Sequence, residues 1–279
     1  MSIFCTTDGA DLFFEIEGTE CGKPPLIFIH GWCGNLRHWD HQVGYFRDSH
    51  RILRVDRRGN GRSTTTGSRH TAAQHAADIA AVAQHVGISA AVVIAHAGGG
   101  PVGVFFCAQF PALARAYIMI DSAIMTGFDI DHPTTRAGQF YADLKARLEA
   151  PDGDAYFREA YTSYFGVHTE PDLVRAMVDE ACRTPAQVRI DDMRLMAADT
   201  ATPASSMAQP TLVIAGQWLA DNSPAAVDAV RLKTYFKQLE FARAIGTGHF
   251  VQLEAPEQCN AFMQSFISRR ARSRPLPGK

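Results

Sequence analysis

Ala91-Val-Val-Ile-Ala-His-Ala-Gly-Gly-Gly-Pro-Val-Gly-Val-Phe-Phe106 is the stretch that decides the fold. Its first five residues are an apolar, β-branched run of the length and kind that sits in a sheet covered on both faces. Three glycines then permit a sharp turn, and residues 101–110 continue as an apolar helix. A strand that turns tightly into a helix is the first half of a β-α-β unit, and a chain built from such units makes a parallel sheet.

Four more short apolar runs, 26–29, 52–55, 117–120 and 211–215, read as strands of the same sheet, and the alanine-rich 71–86 reads as a helix. Residues 11–17 alternate apolar and polar after a Thr7-Asp-Gly9 turn, which predicts an antiparallel edge strand. Residues 124–200 break this rhythm with helical patterns at 137–148, 155–165, 171–182 and 189–198 and no comparable strand. They are expected to form an inserted helical cap, with residues 1–123 and 201–279 making the core. A helix near 225–236, a strand near 239–244, a closing helix near 256–268 and a frayed basic end complete the expectation: an α/β fold with a mostly parallel, doubly wound sheet.

Composition agrees with one large α/β domain bearing a lid. The 279 residues are 46% hydrophobic and 20% charged, which excludes disordered, fibrous and disulfide-framework classes. Lys+Arg number 27 against 29 Asp+Glu, leaving a net charge of −2, and the one basic block is the short run 269–274. Neither nucleic acid nor an anionic membrane is therefore an expected partner, and a small, weakly charged ligand is. Cys5, Cys21, Cys33, Cys107, Cys182 and Cys259 are scattered without a C-x-x-C pair, so no zinc or redox motif is written locally. Residues 1–20 lack a basic start followed by an apolar run, and no stretch approaches the roughly 18 apolar residues of a spanning helix. A soluble, cytoplasmic protein with reduced thiols is expected.

The chemistry-bearing residues fall where parallel strands end, the edge at which ligands bind in open α/β sheets. His30-Gly31-Trp32-Cys33 follows run 26–29, Asp56-Arg-Arg-Gly-Asn-Gly-Arg-Ser63 follows the next strand, and Ala95-His96-Ala97-Gly98-Gly99 stands at the strand-to-helix turn. In that order these resemble the H-G loop, the D-x-R-G-x-G-x-S loop and the nucleophile elbow of the α/β-hydrolase superfamily. The elbow departs from the G-x-S-x-G pattern: a methyl group stands at Ala97 where the attacking hydroxyl belongs, so no acyl-enzyme can form there. Either covalent catalysis has been dispensed with, or a serine at this position has been replaced.

His249, within Gly246-Thr-Gly-His-Phe-Val-Gln-Leu-Glu-Ala-Pro256, resembles the superfamily's catalytic histidine. An imidazole suits proton removal near neutral pH once a carboxylate orients it. Two aspartates could do so: Asp221, after run 211–215, where most hydrolases of the superfamily keep their acid, and Asp121, after run 117–120. Taken together, His30-Gly-Trp-Cys33, His96, Ile118-Met-Ile-Asp121 and Gly248-His249-Phe250 look like the cofactor-independent 3-hydroxy-4-oxoquinoline 2,4-dioxygenases, which favours Asp121.

That resemblance implies an enzyme that needs neither metal nor flavin, with a 3-hydroxy-4(1H)-quinolone and dioxygen as its small-molecule partners. His249, oriented by Asp121, would act as base, and the N–H groups of Trp32 and Gly98 as oxyanion hole; Trp32, His96, Ala97 and Gly98 would meet the substrate. Gly34 and Gly98 stand where some members have histidines, so a less polar pocket is expected, and Ala97 with Gly34 would leave room for a 2-alkyl group. Phe140, Tyr141, Tyr156, Phe157, Tyr161, Tyr164 and Phe165 could line the lid, although such spacing also suits plain core. Other readings of the same residues are a serine hydrolase altered at residue 97, a nucleophile-less decarboxylase, and a ligand-binding protein. His38 and His41, spaced i and i+3 with no third ligand nearby, are expected on a solvated helical face rather than on a metal.

Overall fold

Side chains alternate across a strand, and here the alternation sorts the core into two layers on either side of one sheet. The computed structural model describes residues 2–20, 22–67 and 71–270. Cys21 and the end expected to fray, residues 272–279, lie outside them. The first half of the chain forms β1 (Ser2–Cys5), β2 (Asp11–Gly18), β3 (Leu26–Ile29), α1 (Asp40–Phe46), β4 (Arg51–Val55), α2 (Ala72–His85), β5 (Ala91–His96), α3 (Gly99–Gln109) and β6 (Ala114–Ile120). Five helices follow, α4 (Arg136–Glu149), α5 (Gly153–Thr162), α6 (Pro171–Ala181), α7 (Ala186–Met196) and α8 (Ala201–Ser206). The chain closes with β7 (Thr211–Ala215), α9 (Gln217–Asn222), α10 (Ala229–Leu232), β8 (Leu239–Arg243), α11 (Val251–Glu254) and α12 (Pro256–Arg270).

The strands make a single sheet of order β1-β2-β4-β3-β5-β6-β7-β8, antiparallel at β1-β2 and β2-β4 and parallel elsewhere. Ile27, Ile29, Val93, Ala95, Met119 and Val213 face one layer with α2 and α3. Leu26, Phe28, Val92, Ile94, Ile118, Ile120, Leu212 and Ile214 face the other, with Trp39, Val43, Phe46 and the apolar side of α12. Fully burying one such aliphatic or aromatic side chain is worth about 1.5–3 kcal/mol, so both faces of the sheet hold it closed. Helices α4 to α7 build a third cluster around Leu144, Phe157, Tyr161, Val178 and Met193, which includes Phe250 and Leu253 from the chain just beyond His249, while Ala204 of α8 packs into the first layer.

Two expectations are corrected, and one strand, β1, was not foreseen. The helix near 225–236 is instead a 3-10 turn, Pro224–Val227, and the single turn α10, because Asp228 caps a new start by accepting the Val230 N–H at 2.8 Å. β1 carries no alternating pattern, since its side chains are almost all exposed, yet it pairs along β2. His38 is buried at 1% exposure rather than solvated, while His41 does face solvent. Among the described residues no helix is long and apolar enough to cross a membrane.

Candidate active site

The elbow is positioned by strand pairing. His96, the last residue of β5, pairs with Ile120 of β6, and the Ala97 N–H donates to the Ile120 carbonyl at 3.0 Å. Ala97 then takes φ +47°, the left-handed region that disfavours a side chain, by about 1–2 kcal/mol. The turn is forced by the close approach of α3: a Cβ on Gly99 would lie 2.5 Å from the His30 carbonyl oxygen and 2.8 Å from that of Ile29. The sharp turn that lifts residue 97 above the sheet is thus present, with a methyl group at its tip.

One residue beyond the same sheet edge, Asp121 follows β6, also at positive φ (+42°). Its side chain is fully buried and divides its oxygens between two donors. Oδ1 accepts the Gly216 N–H at 2.5 Å, and Oδ2 lies 2.6 Å from His249 Nδ1. A carboxylate can only accept, so Nδ1 carries the proton and Nε2 presents a lone pair. Asp221 lies apart: it is exposed and accepts from the Gln217 amide at 2.6 Å.

His249 is anchored through its backbone as well. Its N–H donates to the Tyr164 carbonyl at 2.7 Å, and its carbonyl accepts His96 Nε2–H at 2.9 Å. His96 therefore holds the His249 loop over the elbow. Burial, and then the nearby His249, pulls the His96 pKa well below its usual value, so this imidazole is neutral.

Trp32 brings the H-G loop to the same place: a Cβ on Gly98 would lie 3.1 Å from the Trp32 nitrogen. Among the described residues no protein acceptor takes the N–H of Trp32 or of Gly98. Two unused donors beside the elbow tip suit a negative oxygen. The six residues singled out from the sequence, Trp32, His96, Ala97, Gly98, Asp121 and His249, thus occupy one neighbourhood.

The room expected at Gly34 is not there. A Cβ on Gly34 would meet His38 Cε1 at 2.8 Å and Nδ1 at 2.9 Å, so the His38 ring fills that space, and the surroundings are not the less polar ones expected. Burial lowers the pKa of His38 to about 4, which keeps it neutral. Of the lid aromatics, Phe157 and Tyr161 are core, Phe140 is exposed at 61%, and Tyr164 stands 5.6 Å from the His249 ring.

Two residues near His249 escaped the sequence reading. Trp218, at the start of α9, lays its ring 4.8 Å from that of His249 and 5.1 Å from that of Tyr164. Glu254 accepts the N–H groups of Gly248, Phe250 and Gly166, each at 2.8 Å, and the Thr169 hydroxyl at 2.6 Å. It ties the His249 loop to the segment after α5. Its place in the Gly246–Pro256 run was a usable signal, whereas Trp218 had none. A cleft of about 640 Å³ opens between α6 and the loops at 33–37 and 56–62, and neither His249 nor Ala97 lines it.

Comparison with known proteins gives the following. The family described as alpha/beta hydrolase fold matches residues 24–256. A bifunctional esterase/perhydrolase of Acinetobacter calcoaceticus is 34% identical over 44% of this chain and 45% of its own. A non-heme chloroperoxidase of Streptomyces lividans is 28% identical over 61% of this chain and 62% of its own. A 2-heptyl-3-hydroxy-4-quinolone dioxygenase of Rhodococcus erythropolis is 25% identical over 47% of this chain and 49% of its own. The matched stretch is less than two thirds of each of these relatives. Among solved structures, an enol-lactonase from Burkholderia xenovorans LB400 superimposes with a TM-score of 0.83 at 19% identity, covering 96% of this chain and 100% of that one, a likeness of fold.

Proposed function

The chain belongs to the alpha/beta hydrolase fold family, and we propose that it is a cofactor-independent dioxygenase that cleaves the heteroaromatic ring of a 2-alkyl-3-hydroxy-4(1H)-quinolone. The observation that carries this reading is the pairing of an elbow tip without a nucleophile, Ala97, with a base and acid in full contact, His249 and Asp121 at 2.6 Å. Covalent catalysis needs the first group, and proton abstraction needs only the second and third. The match to the Rhodococcus dioxygenase adds support.

In this mechanism His249 Nε2 takes the proton of the 3-hydroxyl, and Asp121 stabilises the resulting imidazolium. The Trp32 and Gly98 N–H groups hold the negative oxygen. The electron-rich anion reduces dioxygen, and a peroxide bonded at C2 attacks C4. The O–O bond and the C2–C3 and C3–C4 bonds break, and C3 leaves as carbon monoxide. C2 becomes the amide carbonyl and C4 the carboxylate of an N-acylanthranilate, so both atoms of dioxygen stay in that product. The proton on His249 is returned to the product side. This route asks nothing of residue 97 beyond small size. Residues 124–200 act as the cap over the site, with Tyr164 closing on the base.

The test uses 2-heptyl-3-hydroxy-4(1H)-quinolone. Mixed anaerobically it gives the spectrum of a bound anion, and admitting oxygen releases one carbon monoxide and one N-octanoylanthranilate per substrate. His249→Ala lowers turnover by about 10²- to 10⁴-fold, the usual worth of a positioned base; unchanged turnover overturns the assignment.

A second reading, ester hydrolysis, is favoured by the retained left-handed turn at residue 97 and by the match to the Acinetobacter esterase. It lacks an attacking group, because the Ser122 hydroxyl is engaged in donating to the Ala97 carbonyl at 2.8 Å. If Ala97→Ser hydrolyses p-nitrophenyl esters and reacts with a fluorophosphonate while the quinolone stays inert to both proteins, the hydrolase reading replaces the first.

A further inference from the structure

We infer that Arg57, held from α7 by Asp192, is a positioning residue that sets the direction and strength of the Trp32 N–H donor. The inference rests on the reading of Trp32 as part of an oxyanion hole.

The N–H of Trp32 and the carbonyl of Gly31 belong to one planar peptide group, pointing in opposite directions. Fixing the oxygen therefore fixes the donor. The Gly31 oxygen accepts two bonds: Arg57 Nη2 donates to it at 2.8 Å, and His30 Nδ1 at 2.9 Å. Arg57 Nε donates to the preceding carbonyl, that of His30, at 3.0 Å. The Arg57 backbone N–H donates to His30 Nε2 at 2.8 Å, which leaves the His30 proton on Nδ1, where it meets the Gly31 oxygen. Burial, and then the Arg57 charge, keeps this imidazole neutral.

The guanidinium itself is completely buried, and its charge is answered by Asp192, 4% exposed, at 2.8 Å. Asn60 donates to the same Asp192 oxygen at 3.0 Å. A guanidinium presents planar, rigidly spaced donors, which a flexible ammonium does not. It also polarises the peptide it binds, because hydrogen bonds in a chain strengthen one another. Asp192 sits on α7, and α7 touches the H-G loop once more and also reaches the elbow: the Arg189 carbonyl accepts Trp32 Nε1–H at 2.8 Å, and Met196 Sδ lies 3.4 Å from where a Gly98 Cβ would be. Docking of α7 and alignment of the oxyanion donor are thus one event.

The experiment compares the full-length protein with Arg57→Lys, which keeps the charge and loses the fork, and Asp192→Asn, which keeps the shape and loses the charge. Two signals are read in each: the amide proton resonance of Trp32 in ¹⁵N-labelled protein, and the apparent pKa of 2-heptyl-3-hydroxy-4(1H)-quinolone bound without oxygen. In both variants the Trp32 resonance is expected to move upfield, the bound quinolone to ionise at higher pH, and kcat to fall by at least about tenfold, approaching the about 10²-fold loss of a deleted donor. A merely structural role would lower the melting temperature and leave both signals in the folded fraction where they were, and that result overturns the inference. Should Arg57→Lys fail to fold, Asp192→Asn decides alone. If the wild-type protein forms no bound anion, the proposed function fails, while the Trp32 resonance still decides the role of Arg57.

Discussion

Among the described residues three non-glycines hold positive φ, Cys33 at +51°, Ala97 at +47° and Asp121 at +42°, and all three follow strands at the sheet edge where the proposed chemistry sits. Strain of this kind persists only where surrounding structure over-determines it. At Ala97 the determinant is the register of β5 on β6 and the backbone contact of Gly99, neither of which involves the methyl group. Removing that methyl should therefore relieve strain without loosening the turn. Ala97→Gly is expected to raise the unfolding free energy by about 1 kcal/mol, read by urea denaturation. A loss of similar size would mean that the methyl contact outweighs the backbone strain. At Asp121 the strain has a recognisable return, since the same turn aims one oxygen at Gly216 and the other at His249.

At the scale of elements, α3 is seated closer to the sheet than side chains ordinarily allow. Besides Gly99, a Cβ on Gly103 would meet the Tyr117 ring at 2.6 Å. Gly99→Ala, which collides with backbone that cannot move aside, is expected to cost more than the about 1–3 kcal/mol typical of overpacking and to leave little folded protein, checked by circular dichroism and melting. The β5-elbow-α3 unit was legible in the sequence because its strand, glycines and helix each have a local signature. So were β3, β4, β6 and β7, whose short, mostly apolar runs report burial on both faces. β1 was not, because exposed edge residues carry no period. The break at Asp228 was hidden for a different reason: a cap is a competition between two local hydrogen-bond patterns, and an apolar count does not see it. In the site, the residues recognised were those in motifs. Trp218 and the burial of His38 depend on how separate loops meet, which no local pattern records.

The whole molecule keeps His30, His38 and His96 buried and neutral around the H-G loop and the elbow. In the unfolded chain a histidine takes up its proton near pH 6.5, whereas folded His38 does so only at about 4. Between those values the unfolded state binds more protons, so stability rises with pH and is lost on acidification from about 6.5 toward 4. The slope from His38 alone reaches about 1.4 kcal/mol per pH unit. Urea titrations between pH 7 and 4.5 should show it, with a flatter dependence in His38→Gln; parallel curves would refute the assignment. A different consequence follows from Asp121 standing after β6 while the Trp218 ring, beyond β7, rests on His249. The His249–Asp121 pair and the ring beside it thus stand on separate elements and can change separately. A lineage can try new residues at position 218 without touching the His249–Asp121 pair, to which the proposed function assigns the proton transfer.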